Sequence, residues 1–141
     1  MTDTHARPDG VSDGTVEAVG KLSEALEYLV RARGHLYSLH QLVGRVDLLA
    51  EEAADLLDEA GHGEHAAALR RDVVGRNVLP GRWTFQLVEE FDETYYEPFT
   101  AAERQVRDDL VAGRRHVHES EMKDARRTPG RPGHERRPAD R

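Results

Sequence analysis

From Thr15 to Ala60 the chain runs without proline, and apolar side chains recur at Val19, Leu22, Leu26, Leu29, Leu36 and Val43. That alternation of three and four places them on one stripe of a helix. Asp13 or Thr15 can cap its start, and Gly61 stands where a C-terminal glycine stop belongs. Gly34 lies inside the pattern, yet the stripe keeps its phase across it, and one interior glycine costs only about 1 kcal/mol. The pattern therefore predicts one long helix over about 15–60, with a bend allowed at Gly34. At about 1.5 Å per residue a straight helix of that length spans roughly 69 Å, far beyond a radius of gyration near 13 Å for a small globule. Such a helix outruns its own domain unless it bends or meets a second subunit, so a homodimer is expected.

A shorter helix is predicted over 63–75, with Ala66, Leu69 and Val73 inward. Gly75, Pro80 and Gly81 then punctuate a loop. Thr84 can cap a third helix over 84–97, which sets Trp83 and Val88 as a hydrophobic staple. Its inward residues are Phe85, Val88, Phe91 and Tyr95, and it stops before Pro98. Thr100 with Glu103 has the form of a capping box opening a fourth helix over 100–125, with Val106, Leu110 and Val117 inward. No strand pattern competes and nothing repeats, so the expected fold is all-α, a small helical bundle with short connections.

Composition changes the picture mainly at the ends. The 141 residues, 38% hydrophobic and 33% charged, suffice for one domain, placed at 15–123. Residues 1–14 carry a net charge of −2 and 124–141 a net charge of +3, leaving the body at −8. Both ends are expected to be disordered; the tail 124–141, rich in Arg, Pro and Gly, has no apolar residue beyond alanine to offset its ordering entropy. A cluster of arginines can neutralise phosphates, but acids are mixed in and no aromatic interleaves, so nucleic acid is not the expected partner. Eighteen of the twenty basic residues are arginine, which points to a GC-rich bacterial or archaeal genome. The absence of cysteine excludes disulfides, thiolate zinc sites, iron–sulfur clusters and a cysteine nucleophile. No stretch approaches the roughly 18 to 20 apolar residues of a membrane span, and MTDTHARPDG lacks a secretory core, so the expected location is cytoplasmic, with no membrane partner.

Candidate chemistry sits where polar residues fall on apolar stripes. Continued past Leu29, the long helix reads Arg33, Leu36, His40, Val43, Asp47, a polar ladder of about 20 Å with one rung every seven residues. On the third helix Asp92 lies among apolar neighbours. Isolated burial of such groups is costly, so Arg33, His40, Asp47 and Asp92 are expected to pair in a network that fixes register. The alternative is a polar core, walled by Tyr37 and Tyr95, that holds a metal ion or small anion.

The di-iron pattern of helical bundles needs Glu-x-x-His on two helices, and Glu24, Glu51, Glu52, Glu89 and Glu90 all lack the histidine. A mononuclear site could draw on His40, Glu89 and Asp92, or on His62 and His65; no cofactor is otherwise expected. The glycines lack a P-loop lysine and a preceding strand, and no serine stands in a nucleophile elbow. The enzyme reading therefore has no motif under it, and no catalytic residue is assigned.

The segment from Arg76 to Glu97 holds the only Trp, two of three Phe and two of four Tyr. Arg76, Arg82, Trp83 and Phe85 combine the residue types that anchor protein interfaces. The expected function is that of a small non-enzymatic interaction protein, homodimeric, which binds another protein through this region or the long-helix seam.

Overall fold

The computed structural model describes residues 3–138. The described residues form five α-helices and no strand: α1 (Asp13–Glu59), α2 (Gly63–Asp72), α3 (Thr84–Phe91), α4 (Glu97–Val111) and α5 (Val117–Arg126). The protein is an all-α helical bundle, as its pattern predicts. Two units share α1: a terminal unit, comprising the residues up to Tyr28 and those from Pro98 on, and a central unit, Leu29–Glu97. No helix among the described residues is long and apolar enough to cross a membrane.

Gly34 does not end α1. The helix opens one residue before the expected caps, where Ser12 Oγ accepts the Thr15 N–H at 3.1 Å. It closes where Gly61 adopts φ +86°, and the His62 N–H reaches back to the Leu57 carbonyl at 2.7 Å in a Schellman-type stop. Its shielded side follows the expected stripe from Val19 through Leu29, Arg33, Leu36, His40, Val43 and Asp47, and the same spacing runs on through Ala50, Ala54 and Leu57.

Three expectations for the C-terminal half need correction. The third helix does not stop before Pro98. Residues Asp92–Tyr96 form a π-helical turn that joins α3 to α4, closed by the Glu97 N–H on the Asp92 carbonyl. Proline lacks an N–H and its ring crowds the carbonyl four residues back; a widened turn ahead of it relieves both. The extra residue also advances the phase, so Tyr96 is half-buried while Tyr95 is exposed; Phe85, ahead of the turn, is exposed as well, against the expected register. Next, Thr100–Glu103 is no capping box, because the chain is already helical there and the Glu103 carboxylate is buried. Finally, the expected 100–125 helix is two helices. Ala112 and Gly113 take left-handed angles, φ 55° and 70°, and His116 takes φ 56°. Leu110 accordingly lies exposed, while Arg107 and Val111 face inward.

The terminal unit buries Val16, Val19, Val111 and Val117 around one charged pair. Arg107 donates through Nε to Glu103 Oε1 at 3.0 Å and through Nη1 to the Gly113 carbonyl at 2.8 Å; Ser23 on α1 donates to Glu103 at 3.2 Å. The pair thus ties α4 to α1 and to the turn that ends α4. At Gly20, an added Cβ would stand 3.2 Å from the His118 Cβ, so α5 approaches α1 there closely because a side chain is missing. The N-terminal segment is pinned by Arg7, which pairs with Asp13 and Glu121. Residues 127–138 are turns and bends without helix, and residues 139–141 of the tail lie outside the described residues.

The central unit buries only four apolar residues, Leu29, Ala54, Ala66 and Val88. Two of these are alanines, on α1 and α2. Arg70 of α2 clasps both Asp55 and Asp58 of α1, which anchors the short helix with charge more than with apolar area.

Candidate interaction site

Every rung of the polar ladder is spent on fastening the 73–97 segment to α1. Arg33 donates in bidentate fashion to Asp92, 2.7 Å from Nε to Oδ1 and 2.8 Å from Nη2 to Oδ2. Its guanidinium stacks 5.0 Å from the Tyr37 ring centroid and 4.7 Å from that of Tyr96. Hydrogen bonding from Arg33 holds the Asp92 carboxyl below the usual carboxylate range. One turn pair further on, His40 Nδ1 lies 2.6 Å from Thr84 Oγ1, and that hydroxyl donates to the His40 carbonyl. Thr84 is therefore the first residue of α3 rather than its cap, its hydroxyl turned inward, and the cap-position N–H of Trp83 is taken by the Gln86 side chain at 2.7 Å. Last, Asp47 accepts the Gly75 N–H at 2.7 Å. Arg33, Tyr37, His40, Asp47 and Asp92 thus stand along one line as expected, and the tyrosine that closes it is Tyr96 where Tyr95 was expected. Arg33 and Asp92 are partners of one another, while His40 is held by Thr84 and Asp47 by the Gly75 N–H.

Once the segment is fastened, a groove of about 930 Å³ lies between α1 and the loop before α3. Val46 and Leu48 line it from α1, Val73 and Val78 from the loop, and Trp83 and Arg76 border it as well. Trp83 is 45% exposed. Of the other two expected interface residues, Arg82 folds back on Glu90 at 2.6 Å, and Phe85 is exposed outside the groove. The turn that shapes this wall is a short antiparallel bridge, Leu79 to Arg82, closed over Pro80 and a left-handed Gly81.

The expected metal candidates do not converge. His40 and Asp92 are engaged as above, while Glu89, His62 and His65 are exposed and join no group of three metal-capable side chains among the described residues. Among the described residues the group of three metal-capable side chains is a different one, Glu27, His116 and Glu119 in the terminal unit, whose ligand atoms lie within 4.8 Å of one another. Sequence reasoning missed it because Glu27 is some ninety positions from the other two and the α4–α5 break that presents His116 was not foreseen. Glu27 and His116 are exposed.

In the tail, Arg127 pairs with Asp124 at 2.6 Å and Arg136 with Asp3 at 3.3 Å, so two of its arginines meet acids of their own unit. Compared with protein-family models, curated proteins and solved structures, the chain matches none of them.

Proposed function

We propose that this is a non-enzymatic interaction protein of the cytoplasm, which acts as a homodimer and seats a protein partner in the groove at Trp83. The supporting observation is the half-exposed Trp83 bordering an apolar groove, on a unit that buries only four apolar residues of its own. A large aromatic beside aliphatic walls and an arginine is the composition of an interface anchor, and such anchors carry most of an interface's free energy. The polar ladder serves the same end, since it fixes the loop that carries the groove's far wall.

Protein purified from its own host and weighed by native mass spectrometry is expected at twice the 15.9 kDa chain, with a companion protein on part of the population. Trp83→Ala is expected to weaken that companion's binding by about 30-fold, the loss typical of a hot-spot aromatic, with helix content unchanged. A monomer without companions, or a companion that Trp83→Ala still holds, would overturn the reading.

A further inference from the structure

The shielded stripe of α1 has a double. One residue before each of its members stands a second heptad series, Leu39, Leu42, Val46, Leu49 and Leu56, extended toward the N-terminus by His35, Ala32 and Tyr28 and filled in by Ala53. Successive steps alternate three and four over residues 28–56 without a slip, so the series forms a continuous seam about 100° around the helix from the first, with the slow left-handed drift of a heptad repeat. Nothing in the central unit covers it: Leu42 is 66% exposed, Val46 58% and Leu56 64%. An isolated surface leucine is ordinary, but a seam of eight turns that is apolar at every position except His35 is an association surface.

Charge along the same stretch selects the occupant. Residues 29–46 carry Arg31, Arg33 and Arg45 and no acid; residues 47–59 carry six acids and no base. Of these, Arg33 is taken by Asp92, Asp55 and Asp58 by Arg70, and Asp47 by the Gly75 N–H, which leaves Arg31 and Arg45 against Glu51, Glu52 and Glu59. A parallel copy would lay like charge on like, whereas an antiparallel copy brings Arg31 of each helix to the acidic half of the other and leaves Arg45 beside the two-fold axis. Side-chain size points the same way. With the axis near Gly44, Leu39 meets Leu49 of the partner subunit, Leu42 meets Val46 of the partner subunit, and the small Ala32 receives Leu56 of the partner subunit. In that register Arg31 falls beside Glu59 of the partner subunit.

We infer that α1 pairs antiparallel with α1 of a second copy through the 28–56 seam, centred near Gly44. This rests on the homodimer reading above and gives it a geometry. Val46 belongs both to the seam and to the Trp83 groove, so the second copy forms one edge of the partner's seat.

The chain has no cysteine, so introduced thiols report cleanly. Leu39→Cys and Leu49→Cys are prepared separately, one of them tagged, and oxidised alone and mixed; both positions are exposed, so neither disturbs the core. The mixture is expected to cross-link 39 to 49, at least tenfold faster than either variant alone. Arg31→Glu is expected to weaken the dimer about tenfold, and adding Glu59→Arg to restore it. A dimer by native mass spectrometry that cross-links 39 to 39, or that Leu42→Asp leaves intact, overturns the antiparallel seam and leaves the homodimer standing. A monomer at micromolar concentration overturns both.

Discussion

Arg107→Ala is expected to destabilise the terminal unit by about 3–5 kcal/mol, the cost of leaving a buried carboxylate without its partner. Glu103 and Arg107 are 5% and 8% exposed, and both are hydrogen-bonded on more than one side. Deleting the guanidinium strips Glu103 of two of its three donors and frees the Gly113 carbonyl that ends α4. Urea denaturation followed by circular dichroism measures the loss; a change below about 1 kcal/mol would mean that water already serves the carboxylate. The double replacement Glu103→Leu with Arg107→Met is expected to recover most of the stability, because an apolar pair of similar volume needs no partner in a buried site. The pair then acts as a lock on geometry: it holds α4 against α1 at Ser23 and sets the place where α4 turns.

That lock marks where sequence reasoning stopped. The pattern of α1 was fully legible, because forty-seven residues without proline repeat one stripe, and the stripe found its neighbours even where it carries Arg33, His40 and Asp47. The ladder was legible for the same reason: polar residues at apolar positions must be satisfied, and three different partners satisfy them. The partners themselves were less so. Asp92 was reachable from its own register, but Thr84 and the Gly75 N–H were not, since a side chain that would otherwise cap a helix and a loop amide give no periodic signal. Glu103 followed by Arg107 reads as a surface pair at helical spacing, and only the three-dimensional approach of Ser23 makes it a buried one.

The errors from Tyr95 on have two physical sources. A periodic pattern predicts phase only while the helix keeps 3.6 residues per turn. The π turn at Asp92–Tyr96 breaks that count, exchanging Tyr95 for Tyr96 at the Arg33 guanidinium, and it does so at the one place where Pro98 forbids an ordinary turn. The α4–α5 break is of another kind. Its left-handed residues include Ala112 and His116, which seldom adopt such angles, and only Gly113 announced it. The second seam of α1, one residue out of step with the first, went unread in the sequence, because a stripe carries no mark of which face the chain covers. It becomes informative only once the structure shows which of the two stripes the chain covers for itself.

Arg33→Met is expected to lower the melting temperature by several degrees at pH 7 and by progressively less as the pH falls below about 4. The reason lies in the sign of the linkage. Hydrogen bonding from Arg33 depresses the Asp92 carboxyl in the folded chain, whereas the unfolded carboxyl keeps its ordinary value near about 4. A depressed carboxyl contributes stability above its unfolded pKa and loses it as the pH falls through the folded one. Wild type should therefore hold a constant margin over Arg33→Met above about 5 and lose it progressively as the pH falls below about 4 toward the depressed folded value. Melting curves from pH 3 to pH 7 on both chains, with Asp92→Asn as a third, separate this from simple loss of packing. Asp92→Asn should show the same flattened acid limb while keeping Tyr37 and Tyr96 stacked on Arg33. If both variants run parallel to wild type at every pH, the pair is a screened surface contact, and the 73–97 segment is held by His40 and Asp47 instead. If the curves converge in acid, the pair is what keeps the π turn, and through it the Trp83 groove, against α1. Acid would then open the groove before it melts the bundle, and partner binding at Trp83 would be lost at a higher pH than helix content.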